Sequence, residues 1–407
     1  MISFNNSSFF DKKIFDFDNN SNFKKNYDLS KKKGDELSNE FTDGKNEILN
    51  SFTSAYQEKI RKHYNKINFK DKKKVVIGLG GSSSGAKALS FFKNDDIIYF
   101  DNLDLEYFSN FLKKNNLKDF IFFIISKSGD TFETLALLNL LINESKNINE
   151  LNIFKSLIVI TEDKESILKN FSDKNKILII EHNPNIGGRF SVLSETGMMP
   201  FFDMNIKIEN GSEKYLKLLN SNFEDDQNPV KNVAILKTCI DQGNLGIICN
   251  LLYNYRLKHF SYWFHQLHAE SLGKGGSGLT PLTSICPKDH HSMMQLYLDG
   301  PKDKFFNIFS PPDQSYFKEF KKEGFFNIEN YTPSGLLHKQ FDSVIEVFRE
   351  KKIFHRIIHL KNHDDPLNLI ELFSYFILET ILLGKVLDIN PYDQPAVQLI
   401  KEKIFKS

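Results

Sequence analysis

The chain has 407 residues, enough for two domains with cores of their own, and its hydrophobic share of 40% and charged share of 26% are those of an ordinary globular protein. Lys+Arg 53 against Asp+Glu 52 leaves a formal net charge of +1, without the basic excess expected of a nucleic-acid binder. Cys239, Cys249 and Cys286 have no CxxC spacing, the N-terminus lacks a signal peptide's long apolar core, and no apolar run reaches the ~18 residues of a membrane span, so a cytoplasmic protein with no thiolate metal site and no membrane partner is expected.

Residues 1–65 are polar and Lys-rich, with weak helical periodicity from Leu37 to Tyr64; they read as an N-terminal arm and helix outside any core. From residue 70 to 185 the pattern alternates. KVVIGLG (74–80), DIIYFDN (96–102), DFIFFIIS (119–126), LIVIT (157–161) and KILIIEH (176–182) are short, nearly continuous apolar runs separated by helical patterns. Strands apolar on both faces that alternate with helices predict a parallel sheet covered on both sides. Beyond Asn228-Pro229 one long helix is predicted from Val233 to about Leu267, followed by a Gly-rich loop. Strands at KFFNIFS (304–310) and FHRIIHL (354–360) then alternate with helices near 336–350 and 366–385. This predicts a second α/β unit.

Two strand ends stand out. The first strand runs into GLGGSSSGAKAL (78–89) and the third into SKSGDTFET (126–134). In open parallel sheets ligands sit at the carboxyl ends of strands, beside helix N-termini. Glycine lets backbone N–H groups approach an anion, and hydroxyls add donors without adding charge. A capping box of Asp130 and Glu133 would explain Asp130. It leaves Ser126, Lys127 and Ser128 unexplained, and two such loops on one sheet point to a phosphate monoester. Gly78-x-Gly80 with Asp101 offers a dinucleotide site as an alternative, but Ser83 stands where its third glycine would be.

Four further segments concentrate polar groups. NIGGRFSVLSETG (185–197) places Arg189 after the fifth strand, where a guanidinium can face a developing oxyanion; a lone surface arginine is the plainer reading. HQLHAESLGKGGSG (265–278) holds Glu270, either a general base or a helix-terminal ion-pair partner. ICPKDHHSMMQLYLDGP (285–301) holds His290 and His291; adjacent side chains diverge, so they make a poor metal pair, while one of them could move protons near neutral pH. NPYDQPAVQLIKEK (390–403) holds Gln394 and Lys401, the latter ordinarily a solvated lysine.

Together these segments resemble the phosphoglucose isomerase family, in its compact bacterial form. GLGGS, SKSGDTFET, GGRFS, AESLGK, HHSMMQL and NPYDQPAVQLIK occur in the family's order from Gly78 to Lys401. The resemblance implies an α/β fold of two SIS-type (sugar-phosphate isomerase) three-layer α-β-α sandwich domains with mainly parallel sheets, at 66–205 and 206–407. It implies reversible conversion of D-glucose 6-phosphate to D-fructose 6-phosphate through a cis-enediolate, in glycolysis and gluconeogenesis, with no cofactor and no metal. Gly81, Ser82, Ser126, Lys127, Ser128 and Thr131 match the phosphate site, Gly81 and Lys127 through their backbones. Glu270 matches the base between C2 and C1, and Arg189 the group that stabilises the enediolate. His291 matches the ring-opening histidine, supplied in trans within a homodimer. Lys401 matches the lysine near the ring oxygen, and Gln266 and Gln394 the glutamines lining the sugar.

The chain departs from the pattern in places. His290 stands where the family usually has glutamine, which leaves open whether His290 or His291 faces the substrate. Ala396 and Gln398 replace a glycine and a glutamate before Lys401, and SKSGDT replaces the commoner SKTFTT, as in other SIS domains. The alternatives are a dual phosphoglucose/phosphomannose isomerase and a non-catalytic sugar-phosphate sensor. A sensor would need the phosphate loops without the base, arginine, histidine and lysine.

Overall fold

This computed structural model describes residues 2–67, 71–148, 151–203, 206, 208, 211–243, 245–313, 332–361 and 365–404, except the side chains of 211–213, 398, 401, 402 and 404. Its backbone divides into two compact units, residues 44–213 and residues 1–43 with 214–407.

The first unit holds β2 (Lys73–Ile77), β3 (Ile98–Phe100), β4 (Phe120–Ile125), β5 (Leu157–Thr161) and β6 (Leu178–Glu181) in one wholly parallel sheet of order β3-β2-β4-β5-β6. These are the five strands read from the sequence. Every residue of β4, the central strand, is buried. The helices Leu105–Lys114, Phe132–Ser145 and Ile167–Lys174 contribute Phe108, Leu137 and Leu168 to a core shared with Val75, Phe122 and Val159. After β2 the chain crosses to one edge for β3, then returns past β2 to β4. The strand order therefore reverses between β2 and β4, the place where such sheets open a crevice.

The second unit holds β1 (Ile2–Asn5), β7 (Ile247–Leu252), β8 (Thr280–Ile285), β9 (Lys304–Phe309) and β10 (His355–Leu360) in the order β1-β10-β9-β7-β8. All pairs are parallel except β1 with β10. The α/β architecture with mainly parallel sheets is as expected.

Three local readings differ. The expected arm supplies an edge strand, fixed where the Ile2 N–H donates to Glu371 at 3.0 Å. The Phe9 ring centroid lies 5.3 Å from that of Phe17 and 6.0 Å from that of Phe305, which packs this segment into the core. The single helix expected from Val233 to Leu267 is two helices, Pro229–Gly243 and Lys258–Leu272, with β7 between them. The run IICNLL is short, apolar and led by β-branched residues, and continuous apolarity alone does not separate a buried strand from a buried helix. β8 lies beyond the Gly-rich loop and was not expected. The helix Pro366–Val386 is long and apolar enough to cross a membrane, yet 94% of its most apolar stretch is buried in the fold.

Candidate active site

The two hydroxyl loops leave β2 and β4, the strands that flank the reversal of strand order. They are in contact at the strand ends: a Cβ on Gly78 would stand 2.8 Å from the Ile125 carbonyl oxygen. Gly80, with φ +57, turns the chain into a short 3-10 turn, Gly80–Ser82, before the helix Ser84–Lys93. Ser82 stays half-buried.

The second loop is organised by its own hydroxyls. The buried Ser126 Oγ lies 2.8 Å from Thr131 Oγ1 and accepts the Gly129 N–H at 3.1 Å, while Ser128 Oγ accepts the Asp130 N–H at 3.2 Å. Gly129 has φ +74, and a Cβ there would meet Ser166 Oγ at 2.1 Å, so the turn requires glycine. Asp130 does not cap its own helix in the manner of a capping box. It accepts the Ile167 N–H at 2.9 Å and so ties this loop to the next helix. Thr131 is the residue before the helix Phe132–Ser145 but makes no side-chain cap, and its hydroxyl turns to Ser126.

The arginine turn packs onto the first loop. A Cβ on Gly81 would come to 2.2 Å from the Gly188 carbonyl carbon and 2.7 Å from the Arg189 nitrogen. Ser191 Oγ lies 2.7 Å from the Gly188 carbonyl oxygen and 3.3 Å from that of Gly81. Arg189 itself is buried at 2% exposure, its guanidinium 4.9 Å from the Phe190 ring centroid. This is no surface arginine. Lys127 Nζ donates to the Pro184 carbonyl at 2.7 Å and lies 3.6 Å from Glu162, which pins the segment leading into the arginine turn. Burial lowers the Lys127 amine, with Glu162 opposing and Arg189 adding to the shift. Gly81, Ser126, Lys127, Thr131 and Arg189 are thus brought together around one end of the sheet. Asp101, the acid of the dinucleotide alternative, is held by Lys87 at 2.7 Å.

In the second unit Gln266 and Glu270 lie one turn apart on the helix Lys258–Leu272, and Gln266 Nε2 donates to Glu270 Oε1 at 3.1 Å. Just past the helix end, Lys274 Nζ lies 2.9 Å from Asp393, which joins this turn to the loop carrying the exposed Gln394. Sequence reasoning passed over Lys274, whose only signal was a cation in GKGGSG. Of the two histidines, His290 Nε2 lies 2.7 Å from the Tyr253 hydroxyl, and burial lowers its pKa. His291 is exposed at the end of the 3-10 turn Lys288–His291. Lys401 falls in the helix Pro395–Ile404, and its side chain lies outside the described residues, as does that of Gln398.

The phosphoglucose isomerase family model matches residues 37–280. The chain belongs to this family. It is 32% identical to a glucose-6-phosphate isomerase of Methanocaldococcus jannaschii over 337 residues, 80% of this chain and 81% of that one. Among solved structures, a hypothetical protein of Thermus thermophilus, TT0462, superposes with a TM-score of 0.84 at 24% identity, covering 100% of this chain and 99% of that one. A glucose-6-phosphate isomerase of Chlamydia trachomatis gives 0.69 at 18% identity, covering 86% of this chain and 72% of that one. At these identities the two structures speak for the fold alone.

Proposed function

We propose that the protein interconverts D-glucose 6-phosphate and D-fructose 6-phosphate. The observation that carries this reading is the pair of hydroxyl loops at the reversal of strand order, with the arginine turn packed on them, in a chain of the phosphoglucose isomerase family. The backbone and hydroxyls of Gly81, Ser82, Ser126, Lys127, Ser128 and Thr131 hold the phosphate, far from the reacting carbons, and that binding energy positions the sugar.

Glu270 takes the proton from C2 of the open aldose and delivers it to C1, while a proton moves from O2 to O1. C2 is oxidised as C1 is reduced, so the step balances without an external electron acceptor. The charge that develops on the enediolate oxygens faces Arg189, a fixed cation in a water-poor setting. The hydrogen bond from Gln266 leaves Glu270 oriented and able to accept. His291 and Lys401 assist ring opening at O5 and O1, with His291 supplied by the neighbouring copy of a cytoplasmic homodimer; its exposure on this chain is consistent with such a role. Gln394 lines the sugar.

The test is a coupled assay in which purified protein converts fructose 6-phosphate to glucose 6-phosphate, with mannose 6-phosphate formation followed in parallel. Glucose 6-phosphate as sole product is expected. Equal mannose 6-phosphate would favour the dual enzyme, and tight sugar-phosphate binding without turnover the sensor.

A further inference from the structure

Four polar side chains stand at one level across the second sheet. Arg356 on β10 is in register with Asn307 on β9, Asn307 with Asn250 on β7, and Asn250 with Thr283 on β8. Register partners on adjacent strands present their side chains to the same face, so a polar row crosses the sheet. The helix Lys258–Leu272 adds Ser261 and His265, one turn apart. Arg356 Nε donates to Asn307 Oδ1 at 2.8 Å, Asn307 Nδ2 to Asn250 Oδ1 at 2.9 Å, and Asn250 Nδ2 to Ser261 Oγ at 2.9 Å. Ser261 Oγ then lies 2.6 Å from Thr283 Oγ1, and Thr283 Oγ1 2.8 Å from His265 Nε2. At the far end Arg356 forks onto Glu379 at 2.6 and 2.7 Å. Arg356, Asn307, Asn250 and Ser261 are at most 1% exposed.

Donor arithmetic gives this chain a direction. A guanidinium has no acceptor, so Asn307 presents its carbonyl to Arg356 and its amide to Asn250. Asn250 must then turn its own amide to Ser261. The Ser261 oxygen is occupied as an acceptor, and its single proton goes to Thr283. Thr283 is left with its own proton to give to His265. The reverse order would strand the Ser261 proton in a buried site, which carries the full desolvation penalty of an unmade bond.

We infer that this row is a directional hydrogen-bond relay that holds His265 as a neutral imidazole, with its lone pair at Nε2 and its proton at Nδ1, and thereby fixes the rotation of the helix that carries Gln266 and Glu270. A backbone bond at Leu282 also touches the ring and opposes the lowering of its pKa by burial. His265 is a positioning residue: it adds no charge next to Gln266 and clamps the helix to β8. The positioning half rests on the proposed role of Glu270; the tautomer does not.

The experiment is ¹⁵N spectroscopy of ring-labelled histidines in the full-length protein over about pH 5 to 8, where a free imidazole titrates. A non-titrating His265 with a bare, hydrogen-bonded Nε2 is expected. Asn307→Asp should reverse the chain, since a carboxylate cannot donate. Asn250 then turns its amide to the new carboxylate, Ser261 donates to Asn250, Thr283 to Ser261, and His265 must donate from Nε2. A proton on Nε2 in the wild type, or an unchanged tautomer in folded Asn307→Asp, would overturn the relay. Should Asn307→Asp not fold, Thr283→Val and Thr283→Ser carry the test: the first should release the ring into mixed tautomers, the second should keep the wild-type signal, and identical spectra would overturn the relay. In turnover, Thr283→Val should lose on the order of 10-fold in kcat with KM nearly unchanged, as for a displaced catalytic group, and Thr283→Ser should recover it. Unchanged kcat alongside mixed tautomers would overturn the positioning role. A wild type with the expected tautomer and no turnover would overturn the isomerase reading alone.

Discussion

Gly81 and Gly188 meet backbone to backbone, so closely that a Cβ on Gly81 would stand 2.2 Å from the Gly188 carbonyl carbon. No side chain fits there, and the obstacle is main chain that cannot rotate away. Gly81→Ala must push the Gly188-Arg189 turn off the Gly80–Ser82 turn. A misplacement of about 1 Å at a catalytic group costs roughly 10²-fold in rate, and a loss of that order is expected in kcat/KM. Gly246→Ala is the control, with nothing within 4 Å of its Cβ; it should retain activity.

Glu195 lies just beyond the same turn, fully buried, and accepts the Tyr56 hydroxyl at 3.0 Å, while Lys59 stays 3.9 Å from its other oxygen. Burial raises the Glu195 carboxyl above its ordinary value of 4.5. The native state therefore prefers the protonated acid, and the stability this confers is complete below the ordinary value and is lost as pH rises through the native one. Glu195→Gln keeps the shape without the titration. The melting temperature of the wild type should fall relative to Glu195→Gln as pH rises toward neutral, and the gap should close in acid. A gap that does not change with pH would contradict this.

Three buried histidines act in the opposite sense. Burial depresses His182 to about 4, His268 to about 3 and His355 to about 4, against an ordinary value of 6.5. Their neutral forms belong to the native state, so the stability they confer is present above 6.5 and is lost as pH falls toward these lowered values. Each contributes a slope of up to about 1.4 kcal/mol per pH unit across that window. Urea unfolding of Glu195→Gln as a function of pH removes the opposing carboxyl, and stability should fall steadily on acidification below the ordinary histidine value, with His265 and His359, also lowered by burial, adding in the same sense.

The first sheet was readable in the sequence because each of its strands is an isolated apolar run followed by a glycine, serine or aspartate at a helix start. The second was harder. β7 is a short apolar run lying between two helical patterns, and apolarity alone does not tell it from a buried helix, while β8, with Thr280, Pro281, Thr283 and Ser284, lacks an apolar run altogether. The hydroxyl loops stood out in the sequence because Ser126 and Ser128 precede any cap. What Asp130 does was not, since its partner Ile167 lies a helix and a strand away. The polar row left one trace, an Asn within an apolar strand at Asn250 and Asn307; Arg356 only follows His355 at the start of its strand. Only strand register shows that these align.

The central claim is that Glu270 moves one proton between two carbons of a bound sugar phosphate. The most direct measurement follows fructose 6-phosphate in D2O by NMR with wild type and Glu270→Gln, checking by circular dichroism that both are folded. Wild type should form glucose 6-phosphate and introduce solvent deuterium at C2. Glu270→Gln should lose both together, by on the order of 10²–10⁴-fold, while still binding the sugar phosphate. Isomerisation and exchange at wild-type rates in the folded variant would contradict the account.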